Sequence, residues 1–189
     1  DYGSRTHGEA ARRLSGDELL IGGNLFVRRS LLAEAGGFPP ALGMAAGRIA
    51  YGEEAALQWA ARRLRPDTVL LYDPQVFVFH LVRSEKMRWP WLVRSFFGKG
   101  RDVWLSSPAG HEAGRAVPSR PALALDLAKT AAALALDVAV GSWLRSRESH
   151  PRVGNYLFEH SSQYVRRLGR LWAQLRGSRR PAASGTVPG

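Results

Sequence analysis

Residues 122–144 constrain the fold most strongly, because the segment is almost wholly apolar yet carries four polar side chains. At 100° per residue, Asp126, Lys129, Thr130 and Asp137 fall within one narrow stripe of a helix. A membrane-spanning helix needs about 20 mostly apolar residues, and each central Asp costs roughly 2.5–3.5 kcal/mol. We therefore predict a strongly amphipathic helix that packs on a domain or lies in a membrane interface.

Basic residues are concentrated in the last quarter of the chain. The formal net charge is +11, and from residue 145 onward nine arginines face only two glutamates. The segment 156–176 predicts a second helix. Its apolar stripe consists of Tyr164, Leu168, Leu171 and Leu175. Roughly opposite this stripe lie three arginines, Arg166, Arg167 and Arg170. This pattern is typical of a basic helix at a membrane surface. A local basic patch commonly faces phosphates, of either lipid or nucleic acid.

Composition excludes several classes of protein. The chain has no cysteine, so a disulfide framework, a Cys-based zinc site and a thiol nucleophile are ruled out. Its 45% hydrophobic content is that of a globular protein and not of a wholly disordered one. The 189 residues suit one compact unit with an appendage. The start at Asp1, without Met or an apolar leader, leads us to expect a missing upstream part.

The remaining elements are predicted from periodicity and turn residues. A short apolar run broken by two glycines, residues 19–27, predicts a buried strand. Two more strands, 69–72 and 75–80, are joined by a turn at Asp73-Pro74. Helices are predicted over 31–35, 53–64 and 87–97, with glycine pairs ending the first and the last at 36–37 and 98–100. Residues 106–121 are predicted to be a linker, and 177–189 a disordered tail.

The strongest candidate for chemistry is Gly52-Glu53-Glu54, which opens a predicted helix. The positive end of the helix dipole keeps carboxylates in a first turn ionised. An ionised carboxylate beside a glycine could take a proton from a bound hydroxyl group. Acidic residues are also common in first turns simply as complements to the dipole, so the motif alone leaves both interpretations open.

Several short motifs occur in a recognisable order between residues 22 and 80. They are Gly23-Asn24 followed by an apolar run ending in Arg28-Arg29, Gly36-Gly37-Phe38, Gly52-Glu53-Glu54-Ala55-Ala56-Leu57, Tyr72-Asp73-Pro74, and His80. This order resembles the C-terminal half of family 2 glycosyltransferases with the GT-A fold. The resemblance covers about residues 19–102. It implies an α/β fold: a partial, Rossmann-like GT-A domain that lacks its nucleotide-binding half and is followed by C-terminal helices.

The resemblance also implies a role for each matching position. Glu54 stands where the family usually has an Asp that acts as the catalytic base of an inverting displacement, and Glu53 would orient the acceptor or hold the site. Other positions would bind substrate or metal: Gly22, Gly23 and Asn24 line the pocket, Arg83 and Lys86 meet the diphosphate, and His80 ligates a divalent metal ion. A strand-end histidine without metal and a solvated charge run are the alternatives for His80 and for the two basic residues.

Taken together, the sequence predicts the acceptor-side half of a glycosyltransferase over 1–105, a linker over 106–121 and an amphipathic helical extension over 122–176. The family's Mg²⁺ or Mn²⁺ would have most of its ligands in the missing half, and no Asp-x-Asp motif occurs in this chain. We expect the fragment to be inactive alone.

The expected partners follow from the same resemblance and from the basic surface. They are a nucleotide-sugar donor, a glycan or lipid-linked acceptor and an anionic membrane surface. We expect a cytoplasmic protein, peripheral at the inner face of the plasma membrane, that acts in cell-envelope or exopolysaccharide synthesis. The alternative is a basic module that binds nucleic acid or a membrane without catalysis. The absence of zinc-finger spacing and of an RNP-like aromatic motif disfavours nucleic acid.

Overall fold

A computed structural model describes residues 7–44, 48–79, 81–107, 118–144, 150 and 152–177. The first part of the chain has a two-stranded antiparallel sheet of β1 (Arg12–Leu14) and β2 (Leu70–Tyr72), in the register Arg12 to Tyr72 and Leu14 to Leu70. Two helices accompany it, α1 (Arg29–Glu34) and α2 (Glu53–Leu64). Strand β2 lies within the predicted 69–72, and α2 has the predicted bounds.

Two strand predictions in this part are wrong. Residues 75–79 form no strand, and β2 pairs instead with β1, although the predicted turn after Asp73 does form. Residues 19–27 hold a 3₁₀ turn, Gly22–Asn24, where a strand was expected. The reason is visible at Leu20, whose N–H donates to Gln58 Oε1 (2.7 Å) and whose carbonyl accepts from Gln58 Nε2 (2.9 Å). A side-chain amide from α2 thus takes the place of a neighbouring strand.

The second part is helical. It consists of α3 (Trp89–Ser106), α4 (Arg120–Leu136), α5 (Val153–Tyr156) and α6 (Ser162–Gly177). One turn of π-helix, called a π-turn below, covers Asp137–Gly141 and continues α4 to residue 144. A second π-turn covers Leu157–Ser161 and joins α5 to α6. Helix α6 packs against both α3 and α4, and the buried side chains include Phe96, Leu123 and Leu171.

Helix α3 does not end at its glycines, so the predicted stop at 98–100 is wrong. Both glycines are buried inside the helix, where they let backbones approach closely. A Cβ at Gly100 would collide with the backbone of Arg166 in α6, and a Cβ at Gly169 would collide with the Phe97 carbonyl in α3. The glycines therefore serve the contact between two helices and are not a stop signal.

Two residues of the predicted polar stripe of α4 face inward, whereas Lys129 is exposed and several of the apolar side chains face outward. Thr130 and Asp137 are buried, whereas Leu125 and Leu136 are more than half exposed. Asp137 accepts hydrogen bonds from the Tyr156 and Ser161 hydroxyls, both at 2.7 Å, and so ties the first π-turn to the second. Among the described residues, no helix combines the length and the apolarity needed to cross a bilayer.

The domain boundaries and the partial GT-A fold stay predictions. The described residues hold the one small antiparallel sheet and are otherwise mostly helix and loop. Only the ends of the predicted linker are described, with Ser106 closing α3 and Arg120 opening α4. The predicted disordered tail lies outside the described residues from 178 onward.

Candidate functional site

The N-terminus of α2 is held against α3 by a glycine in a left-handed conformation. Gly52 has φ +94° and is the residue that caps the helix. A Cβ at this position would lie 2.9 Å from the Ser106 side chain and 3.2 Å from the Asp102 carbonyl. Only glycine combines this φ with so close a contact. The sequence therefore places Glu53 and Glu54 at a fixed point on the surface of α3.

Buried Asp102 anchors the segment that leads into α2. It accepts a hydrogen bond from the Tyr51 N–H (2.8 Å) and is paired with the guanidinium of Arg101, whose pKa this contact raises. The Tyr51 hydroxyl lies 2.6 Å from Ser95 Oγ on the same helix. Sequence analysis assigned no role to Asp102. No sequence signal pointed to it, because Asp102 lies beyond the predicted end of the helix at residue 97 and closely follows basic residues in the sequence.

Glu54 lines a cavity of 850 Å³ between the 19–22 segment, α2, α3 and α6. The neighbouring Gly22 also lines this cavity, and a Cβ there would collide with the Glu54 side chain. The structure therefore brings together the predicted base and the first of the predicted pocket glycines. Gly22 leaves the space that the Glu54 side chain occupies.

Glu53 lies beside Glu54 but under the turn at Gly43. A Cβ at Gly43 would lie 2.9 Å from the Glu53 carboxyl carbon. Glu53 Oε2 is buried and has no hydrogen-bond partner among the described residues. Burial, and after it the negative charge of Glu54, raises the pKa of Glu53. Glu53 therefore holds a proton more tightly than an ordinary carboxyl group does.

The other predicted substrate residues lie apart from this cavity. Gly23 has open space around its α-carbon, and the Asn24 side chain donates to the Val76 carbonyl (2.7 Å). Arg83 is exposed, and Lys86 sits in the 3₁₀ turn Ser84–Met87 with its Nζ 5.8 Å from the Trp91 ring centroid. None of these four is among the described residues that line the cavity. The predicted metal ligand, His80, lies outside the described residues.

The wall of the cavity opposite Glu54 is strongly basic. Lys99 on α3 lies 5.5 Å from the Tyr51 ring centroid, and Arg166 on α6 lies 5.1 Å from that of Phe96. Such cation–π contacts hold a charge in place without neutralising it. The cationic wall is formed by Lys99, Arg166, Arg167 and Arg170.

Sequence analysis placed the three arginines on a membrane-facing surface and missed that they share a cavity with Glu54. The amphipathic pattern of α6 itself is correct, since Leu171 is buried while Arg167 and Arg170 are exposed. The periodicity of one helix shows which residues face outward, but not which other element stands across from them.

The chain was also compared with known proteins. No protein-family model matches it, and no curated protein or solved structure does so either.

Proposed function

We propose that the chain is the acceptor-side half of an inverting glycosyltransferase. It would act with its nucleotide-binding half to transfer a sugar from a nucleotide-sugar donor to an acceptor hydroxyl group, in cell-envelope or exopolysaccharide synthesis. The observation that carries the proposal is Glu54, which lies on the wall of a large cavity at the N-terminus of α2 with Gly22 beside it.

In this proposal Glu54 acts as the general base. Its carboxylate accepts the proton of the acceptor hydroxyl group while that oxygen attacks the anomeric carbon of the donor sugar. The bond from the anomeric carbon to the diphosphate breaks on the opposite face, so the configuration inverts. Glu53 lies under the Gly43 turn and would hold the site without touching the substrate.

The cationic wall suits substrates that carry phosphate. Its four positive charges, Lys99, Arg166, Arg167 and Arg170, outnumber the two carboxylates on the cavity lining, Glu54 and Glu159. Charge-assisted hydrogen bonds from arginine to phosphate are among the strong ones in proteins. Both a nucleotide sugar and a lipid-linked acceptor present such groups.

The family's divalent metal ion enters the proposal only as a partner of the donor. It would supply positive charge to the leaving diphosphate. The one ligand that the resemblance assigns within this chain, His80, lies outside the described residues. The steps given to Glu54 do not pass through the metal ion.

The proposed location is the cytoplasmic face of the plasma membrane, and α4 is the element that would make the contact. Its exposed apolar side chains form what we call the α4 outer face: Leu125, Leu136, Val138, Val140, Trp143 and Leu144. An apolar face of this kind, together with basic residues, is what binds a protein to an anionic leaflet. This assignment replaces the arginines of α6, which line the cavity.

The test is Glu54→Gln in the full-length enzyme, with Glu9→Gln as the matched control because Glu9 is exposed and outside the cavity. Loss of a general base lowers turnover by about 10²–10⁴-fold. We expect this loss in kcat for the first variant, with donor affinity unchanged, and normal kcat for the control. Turnover would be assayed with the donor that a panel of nucleotide sugars identifies. Near-normal kcat in Glu54→Gln would remove Glu54 from this role.

A further inference from the structure

Three side chains that commonly bind metal ions meet at the two ends of α5. They are His150, which precedes the helix, and Glu159 and His160, which lie in the π-turn that follows it. One ligand atom from each lies within 4.8 Å of the other two. His150 Nε2 is 3.1 Å from Glu159 Oε2. The cluster borders the cavity that contains Glu54, because Glu159 is also among the residues that line it.

The Tyr156 ring contacts both imidazoles. It stacks on His160 with ring centroids 4.8 Å apart, and it meets His150 edge-on at 5.6 Å. Tyr156 is itself buried, and its hydroxyl donates to Asp137. A π-turn displaces side chains from their helical positions, and such turns are frequent at functional sites. Here the π-turn allows two consecutive residues to reach the same point.

We propose that His150, Glu159 and His160 bind a divalent transition-metal ion, for which Zn²⁺ is the best match. Two imidazole nitrogens and one carboxylate oxygen are ligands that Zn²⁺ prefers, and three protein ligands leave a position open to water. Tetrahedral Zn²⁺ with bonds of about 2.0–2.1 Å needs ligand atoms about 3.3 Å apart. The exposed side chains of Glu159 and His160 close the remaining gap by rotating.

The bound ion would cross-link two parts of the chain. It would join His150, which precedes α5, to the π-turn before α6, and so stabilise the connection between α4 and α6. Because a site of this kind exists only in the folded chain, binding of the ion stabilises the fold by mass action. The proposed site adjoins the cavity through Glu159, but Zn²⁺ binding is measured without any transfer reaction, so the two proposals are tested separately.

The experiment is a Zn²⁺ titration of the chain, purified without a histidine tag and stripped with a chelator, against a chromophoric competitor near neutral pH. We expect one tightly bound Zn²⁺ per chain and a higher Tm when Zn²⁺ is present. Removal of a ligand in His160→Ala or His150→Ala should weaken binding by at least about tenfold. His7→Ala is the matched control, because His7 lies near β1 and contacts the Leu19 carbonyl.

His160 is exposed, so His160→Ala should fold normally, and circular dichroism verifies this. Glu159→Gln is the second variant, because it keeps the shape of the side chain and loses the charged ligand. Absence of Zn²⁺ binding to the wild-type chain would overturn the proposal and leave an imidazole–carboxylate hydrogen bond as the account of the 3.1 Å contact. Equal affinity in the wild type and both histidine variants would overturn it as well.

Discussion

Glu53 and Glu54 are neighbours in sequence but have opposite surroundings. Glu54 lines the cavity, whereas Glu53 is covered by the Gly43 turn, and the pKa of Glu53 is raised because of this burial. The sequence motif predicted that two acids open α2, and they do. It could not predict which acid faces the cavity, because that depends on the position of the 19–22 and 39–44 segments, far away along the chain.

The raised pKa of Glu53 predicts how stability changes with pH. The folded chain binds this proton more tightly than the unfolded chain, whose carboxyl group has the ordinary pKa of 4.5. The contribution of Glu53 to the free energy of unfolding should therefore rise as the pH falls through the raised pKa toward 4.5, and fall as the pH rises. Glu53→Gln removes this dependence, so it should gain on the wild type by about 1 kcal/mol at pH 8, a typical penalty for an unsatisfied buried polar group.

Urea unfolding of both chains at several pH values measures the difference. The gain should shrink as the pH falls and disappear below 4.5, where the carboxyl group is protonated in both the folded and the unfolded wild type. Glu9→Gln, at an exposed position, serves as the control and should follow the wild type. A constant offset between Glu53→Gln and the wild type at all pH values would contradict the assignment of the raised pKa to Glu53.

At the scale of elements, sequence periodicity predicted the long helices well and the short strands poorly. Helix α2 was predicted to the residue, and α4 and α6 within a few residues, because many positions repeat the same pattern over several turns. The 19–27 and 75–80 strands failed because a short apolar run does not say what it will pair with. At Leu20 the backbone N–H and carbonyl are hydrogen-bonded to the side chain of Gln58 on α2 and not to a neighbouring strand.

The glycines of α3 do not end the helix, because they serve its close contact with the distant helix α6. This contact leads to a second prediction, about the stability of Gly100→Ala. Gly100→Ala places a methyl group against the Arg166 backbone, where no flexible side chain can give way. Overpacking of this kind costs about 1–3 kcal/mol, which outweighs the gain of up to 1 kcal/mol in helix propensity. We expect Tm to fall by several degrees, measured by thermal unfolding.

Gly154→Ala is the matched control for this prediction. A Cβ at Gly154 would have its nearest contact at 3.9 Å from the Trp89 side chain, an ordinary van der Waals distance. Since Ala favours a helix over Gly, this variant should be neutral or slightly more stable. A Tm for Gly100→Ala as high as that of Gly154→Ala would mean that α3 and α6 do not approach as closely as Gly100 and Gly169 indicate.

At the scale of the whole molecule, the second part of the chain has one cationic surface and one apolar surface. The cationic wall faces the cavity with Glu54, whereas the α4 outer face is apolar and open to solvent. The sequence showed both amphipathic patterns, but left open whether α4 packs on the protein or lies in a membrane interface. Asp137 of the polar stripe faces inward because the Tyr156 and Ser161 hydroxyls donate to it, and a helical wheel does not reveal such partners.

The last prediction concerns the α4 outer face and the membrane. Leu136 and Val140 lie one turn apart on this face and are 65% and 44% exposed, so their replacement should not disturb folding. Burying a Leu or Val side chain contributes about 1.5–3 kcal/mol when it is complete. Leu136→Ser with Val140→Ser should therefore weaken sedimentation with anionic vesicles about tenfold or more.

The control pair, Leu64→Ser with Val69→Ser, removes the same types of exposed side chain elsewhere and should bind as the wild type does. If both double variants bind anionic vesicles equally well, or if the wild type stays in the supernatant with anionic and neutral vesicles alike, the α4 outer face is not a membrane contact. A specific loss in the Leu136 and Val140 variant would instead show that the α4 outer face contacts the anionic membrane.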